Sequence, residues 1–337
     1  MTKIKKLGIN LAVATTLCFN GCGSSDEDLG NTTTSKFNTA VKLNLADLNN
    51  YDLITGEGSG ATNFRSKNKS SNNTDKTSLK LSNIVKNNIN NLMYERTTRS
   101  SREVTGDGDI RTVIETNEGS ISGTETINID FNMLTGKFSG SMSFSNYKDV
   151  EDDECGVDEV TSMVGIFNVT GLIDIETEDI ENMIISSNEN FLLDDMIWKS
   201  GFSMTMEYNN DSLYEEEVLM TMTVEAYINN ESFGFKDYQI NSYSYNGYEY
   251  EYPVKGNIYL FTNELNGYFS VDSSYDHSLT PTKEDVCGEY TYSGLEKYIG
   301  KDSSMTWQIT SINNYKIEID SNNNGTVDIT KTGIVGD

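Results

Sequence analysis

From about residue 108 the chain repeats with a period of two. Ile110, Thr112 and Ile114 alternate with Arg111, Val113 and Glu115; Ile127, Ile129 and Phe131 alternate with Asn128, Asp130 and Asn132. Further runs of this kind cover 203–208, 218–228, 239–252, 257–261 and 306–312. Residues two apart share a face of a strand, so each run can bury one face and wet the other. The runs are separated by Asn, Gly and Asp. With only 2 Pro in the chain, these residues must make the turns. The pattern predicts an all-β fold of antiparallel sheets, as a sandwich or an open barrel.

Ahead of this region the period changes. Leu81, Ile84, Val85, Ile89, Leu92 and Met93 recur at three and four, which is one apolar face of a short N-terminal helix. Its polar face lacks a basic stripe, so the reading is packing on the following domain rather than membrane contact. Residues 22–77 are rich in Ser, Thr, Asn, Gly and charge, and read as a flexible tether interrupted by a weak strand at 41–45. The expected division is 1–21 leader, 22–77 tether and 78–337 β domain.

The leader has a basic start (Lys3, Lys5, Lys6), a short apolar run to Phe19, and the small Gly21 before Cys22. With Cys directly after the small residue, it resembles the type II signal of bacterial lipoproteins. That family usually has Leu three before the Cys, where this chain has Phe19. The resemblance implies that Cys22 is acylated and becomes the new N-terminus. It also implies a place in the bacterial cell envelope, on the periplasmic or surface side of the outer membrane rather than at the inner membrane. An exported, oxidising location then favours pairing Cys155 with Cys287, against the rival reading of two separate thiols. The balance of 25 basic against 52 acidic side chains disfavours nucleic acid and anionic lipid headgroups as partners.

The chain also resembles itself. Leu134–Ser139 matches Leu265–Ser270 at an offset of 131 residues, and Ile127 and Ile129 match Ile258 and Leu260. Cys155-Gly156 matches Cys287-Gly288, and Ser187–Asn190 matches Ser321–Asn324, at slightly larger offsets. The shared order predicts a duplicated β unit with halves near 100–205 and 230–337. This order also looks like that of β-rich bacterial lipoproteins without assigned activity, a likeness that brings no catalytic residue.

Two stretches carry candidate sites. Asn246-Gly247 predicts a two-residue turn that sets Tyr245 opposite Tyr248 and Tyr243 opposite Tyr250 on one face. That face reads either as an aromatic platform for a sugar or another flat ligand, or as a packed or merely stabilised hairpin. Asp320, Asn322, Asn324, Thr326 and Asp328, with Gly325 at the turn, resemble the start of a calcium loop of the EF-hand kind. Lys331 stands where that family has Glu, and the flanks read as strands, so a plain hairpin turn is the competing reading. Enzyme signals are poor: the single His277 has no identifiable nucleophile, and no carboxylate pair can be selected among 52 acids. No cofactor is expected beyond calcium. The function expected is a non-enzymatic, membrane-anchored envelope lipoprotein with a β-rich binding or structural domain and a protein or glycan partner. The alternatives are a lipid or small-ligand carrier and, less favoured, a hydrolase.

Overall fold

The alternating runs become strands that pair with their sequence neighbours. The computed structural model describes residues 36–47, 74–93, 100–106, 108–152, 158–209, 216–228, 231–245, 248–261, 266–275, 294–311 and 314–334. The leader, Cys22, Cys155, Cys287, His277 and the Asn246-Gly247 turn lie outside them. The first half holds β1 (Val41–Lys42), helix α1 (Thr74–Met93), β2 (Ser100–Thr105), β3 (Ile110–Glu118), β4 (Ser122–Asn132), β5 (Lys137–Asp152), β6 (Asp158–Ile173) and β7 (Ile180–Ser187). Then come β8 (Phe191–Leu193), β9 (Met196–Trp198), β10 (Phe202–Tyr208), β11 (Glu216–Ile228), β12 (Glu231–Tyr245) and β13 (Tyr248–Phe261). The last strands are β14 (Asn266–Asp272), β15 (Ser274–Tyr275), β16 (Gly294–Ile299), β17 (Ser304–Ser311), β18 (Asn314–Asp320) and β19 (Ile329–Ile334). The protein is all-β, built on one large antiparallel sheet.

The sheet is a meander. β2 to β7 pair in order, β7 pairs with β10, and β10 to β14 continue in order before β16 to β19. β8 and β9 extend the β7–β10 hairpin. Ser187 faces Phe202 and Phe191 faces Trp198, so one register runs through the breaks at 188–190 and 199–201. Pairing is unbroken from β10 through β12, across the interval between the two expected halves. The matched hairpins also pair differently. Ile127 faces Met142, whereas Ile258 faces Phe269, the residue matched to Phe138. Both connections are four residues long, 133–136 and 262–265, but they fall two residues apart in the matched sequence, so the two hairpins pair in different registers.

One face of the sheet is buried. A sheet of this many strands is on the order of 70 Å wide at ~4.8 Å per strand. The 20-residue α1 is about 30 Å long and roughly 10 Å across, too small to cover that face alone. Yet inward residues from Val113 on β3 to Ile319 on β18 belong to one contiguous core, together with Leu81, Val85, Ile89 and Leu92 of α1. The inner face and the helix therefore share one core. Asn83, Asn87 and Asn91 are exposed on the opposite side of α1, where poor helix formers disturb no packing. The helix seat is rich in methionine. Met204 faces Met222, Met206 faces Met220, and the Ser78 hydroxyl lies 3.8 Å from the Met222 sulfur. Unbranched thioethers fill the uneven gap between a helix and a pleated surface. Phe144, Phe167, Phe191, Phe202 and Trp198 continue the core as a chain of rings 5.1–6.3 Å apart.

The expected tether is shorter than 22–77. α1 starts at Thr74, and residues 37–47 are folded onto the sheet. Phe37 packs 4.6 Å from the Tyr259 ring. β1 pairs parallel with β14, Leu43 donates to Tyr268 O, and Leu45 is fully buried with its N–H on Ser303 Oγ at 2.9 Å. Three glycines make this seat. A Cβ on Gly234 would lie 2.4 Å from the Phe37 ring, on Gly267 2.4 Å from Val41 O, and on Gly300 2.6 Å from Leu43 O. Only the apolar spacing Val41, Leu43, Leu45 hinted at this, because the anchoring contacts are all long-range. Gly267→Ala should unseat the strap: amide exchange at 41–45 should accelerate while β4 to β6 stay protected. Leu45→Ala should cost about 2–5 kcal/mol in denaturant titrations, the range for a buried Leu. Unchanged exchange and unchanged stability in these variants would remove the strap from the folded domain.

Candidate functional site

The inner face holds a small group of acids beneath α1. On β4, Glu125 is in phase with Ile127, Ile129 and Phe131 and so points inward with them. Pairing Val113 with Ile129 then turns Val113 and Glu115 inward on β3 and leaves Ile110 52% exposed. Glu115 and Glu125 are each 3% exposed. Asn88 of α1 donates to Glu125 Oε1 at 2.6 Å, and Asn117 donates to Oε2 at 3.2 Å. Arg102 on β2 faces Glu115 in register and donates to the Leu92 carbonyl at the end of α1. Burial pushes the Glu125 carboxyl up from an ordinary 4.5 to about 7; the two amides oppose this, and the Glu115 and Asp149 charges add to it. Asp149 itself is held below the usual carboxylate range: burial works against this, but bonds from Ser120, Tyr147 and its own neighbours outweigh it. Both carboxylates are buried, and α1 is seated on Glu125 through Asn88. The pair is a seam between helix and sheet.

The outward face has a different chemistry. Asn128, Ser141, Asn168, Ser186, Ser203 and Thr223 form one continuous cross-strand row over β4 to β11. Asp130, Ser139, Thr170, Ile184, Thr205 and Thr221 form the next. Neighbours stand ~4.8 Å apart across strands and roughly 6.8 Å along them. Of these twelve positions only Asp130 is charged, on a chain with 52 acids. At one end the rows run into a cleft of about 540 Å³. Ser139 and Thr170 lie along it, with Asp130, Asn132, Lys137 and Asn182 as polar walls and Ile110, Leu172 and Ile184 as apolar ones. Thr112 Oγ1 donates to Asp130 Oδ1 at 2.6 Å. The turn beside the cleft is fixed: Asn132 Oδ1 accepts from Leu134 and Thr135, Met133 N–H bonds Asp109 O, and Ile173 N–H bonds Gly136 O. Gly136 has a φ of 68°, which favours glycine there. The sequence contained a signal for this site: short polar residues recur in the outward phase of successive strands.

The tyrosine hairpin has the expected register, Tyr243 opposite Tyr250 and Tyr245 opposite Tyr248. Tyr243 is in phase with Gln239 and Asn241, on the outward face, and is nonetheless buried to 4% exposure. Beside it, Glu217 accepts from Asn241 at 3.2 Å and from Asn209 at 2.9 Å. The side chains of Tyr245, Tyr248 and Tyr250 lie outside the described set. The 320–328 loop is several strands away, between β18 and β19. There Asp320, 7% exposed, accepts backbone N–H bonds from Asn322, Asn324 and Gly325 at 2.6–3.2 Å. Burial would raise its pKa, but these bonds outweigh it and hold the carboxyl below the ordinary range. Asp328 accepts from Ser321, and Asn324 Oδ1 accepts from Thr326 N. Among the described residues no group of three or more His, Cys, Asp or Glu is placed to hold a metal. No protein-family model, no curated protein and no solved structure matches this chain.

The inner acids give a pH prediction. The folded protein keeps the Glu125 proton up to about pH 7, and the unfolded chain releases it near 4.5. The folded state thus binds more protons between these values, and stability falls as pH rises through that window. The melting temperature should be highest near pH ~5 and decline toward pH ~8. Glu125→Gln should flatten the decline and stabilise the alkaline side. A parent profile that is flat or rises from pH ~5 to ~8 would refute the buried proton.

Proposed function

We propose that this chain is a membrane-anchored envelope lipoprotein whose β domain binds through the outward face of its sheet. The observation that carries the reading is the division between the two faces. The inner face is filled by α1 and the core, while the outward face over β4 to β11 presents two adjoining rows of hydroxyl and amide groups in which Asp130 is the one charge, with Glu207, Glu217 and Glu225 further along β10 and β11. This favours a binding module over a carrier, whose ligand would need the space that Leu81, Val85, Ile89 and Leu92 occupy at 1% exposure or less. It also favours one over a hydrolase, since Glu115 and Glu125 are buried. No helix among the described residues is long and apolar enough to cross a membrane. The anchor in this reading is the lipid on Cys22. Fourteen residues lie between Cys22 and Phe37, so the strap is held within about 50 Å of the bilayer.

The native protein should carry acyl mass on Cys22 and fractionate with membranes, and Cys22→Ser should be exported in soluble form. Digestion without reduction should give one peptide pair joined through Cys155 and Cys287. An organic extract of the purified protein should hold no stoichiometric lipid beyond the acyl chains. A Cys22→Ser protein that stays with membranes would sink the anchor, and a co-purifying lipid would hand the function to the carrier reading.

The same reading gives the 320–328 loop a weak calcium site, with Asp320, Asn322, Asn324, Thr326 and Asp328 as ligands. The ion would compete with the loop's own N–H groups for the Asp320 oxygens. The affinity should therefore be in the ~10⁻⁴–10⁻³ M range of extracellular modules. About 10 mM CaCl₂ should stabilise the fold by ~1–3 kcal/mol through mass action. Asp320→Asn should abolish the response, and MgCl₂ should give little. A melting curve indifferent to CaCl₂ would leave the loop a hydrogen-bonded turn.

A further inference from the structure

The cleft at the end of the outward rows has a lining that selects among ligand chemistries. Its volume of about 540 Å³ falls in the range of small-ligand sites, roughly 300–1,000 Å³. Ser139 and Thr170 each offer a donor and acceptors, and the Asn182 amide offers both as well. The partner that uses such groups fully is one whose own groups both donate and accept, which describes a hydroxyl. An ammonium or carboxylate ligand would use only half of them. The two charged walls, Asp130 and Lys137, are of opposite sign, so the cleft adds little net charge of its own. The chain as a whole carries −27 and repels polyanions. Leu172 and Ile184 form an apolar strip across the same floor, by the registers Lys137–Leu172 and Thr170–Ile184. Hydroxyls at the edge and C–H groups on the face make a pyranose ring amphipathic in the matching sense. An extended peptide would need free strand N–H and C=O groups, and the backbone beneath the cleft is already paired on both sides, in β5 with β4 and β6 and in β6 with β5 and β7. The fixed turn at 132–137 holds the wall in place before any ligand arrives, which limits the ordering cost of binding.

We propose that this cleft binds a neutral saccharide, with Asn182, Ser139 and Thr170 meeting its hydroxyls and Leu172 and Ile184 meeting a ring face. The proposal rests on the outward face being the binding face. It adds the ligand class, and it moves the centre of recognition from the tyrosine hairpin to the end of β4 to β7. The test uses the full chain in detergent on an array of neutral and uronate-containing oligosaccharides, with hits titrated by calorimetry. Neutral oligosaccharides should bind and their acidic counterparts should not. Asn182→Ala, at a half-exposed position that should fold normally, should weaken binding tenfold or more. Ser139→Leu, which fills the floor, should abolish it, and Gln308→Ala on β17 should leave it unchanged. Binding only of acidic oligosaccharides, or of none, overturns the proposal. Neutral binding that survives both cleft variants but is lost in Tyr250→Ala also overturns it, while leaving the anchored binding module in place. Failure of the anchor would appear separately, in fractionation of Cys22→Ser, and would not touch the array result.

Discussion

The apolar stripe of α1 is what the sheet is arranged around. Leu81, Val85, Ile89 and Leu92 sit one turn apart on one side of the helix, and all are buried. Here an inner face of Phe, Met, Ile and Trp loses contact with water in one core that it shares with the helix. At roughly 25 cal/mol per Å² of apolar surface, that drive dominates the fold. The outward face follows from it: with every strand locked in register by its inward residues, the outward residues line up in rows without having to pack.

The strap at 37–47 shows how a polar-looking segment joins such a domain. It contributes few apolar side chains, with Phe37 outside the sheet and Leu45 inside it. Gly234, Gly267 and Gly300 lack the atoms that would collide with it. The gain is backbone pairing with β14 and two anchored side chains, enough to offset the ordering of a few residues. In the proposed anchored protein this shortens the stretch between lipid and domain.

Polar groups are used in opposite ways on the two faces. Inside, Glu125 and Glu115 are buried, and Asn88, beside the apolar stripe between Val85 and Leu92, donates to Glu125. That contact gives a physical role to a residue type that otherwise weakens helices. Outside, the two rows over β4 to β11 carry hydroxyls and amides with Asp130 as their one charge, and the cleft concentrates them beside an aliphatic strip. Elsewhere acids do sit within strands, where Glu217 accepts from Asn209 and Asn241 and Glu225 pairs with Lys199.

Much of the fold was legible in the residues. Strict alternation fixed strands and an antiparallel class, three-and-four spacing fixed the helix, and the tyrosine pairs across 245 and 248 followed from an Asn-Gly turn. These signals are local, and local geometry is all they need. Which phase of β3 faces the core was not legible, because Ile110 and Ile114 look more apolar than Val113 and Glu115. Only pairing with Ile129 and Ile127 on β4 decided it, and with it the burial of Glu115. The strap, the register shift between the two matched hairpins, the seat of Asn88 on Glu125 and the cleft between Asp130 and Asn182 also belong to the tertiary structure. Each depends on residues tens to hundreds of positions apart, brought together by a sheet register that no single segment encodes.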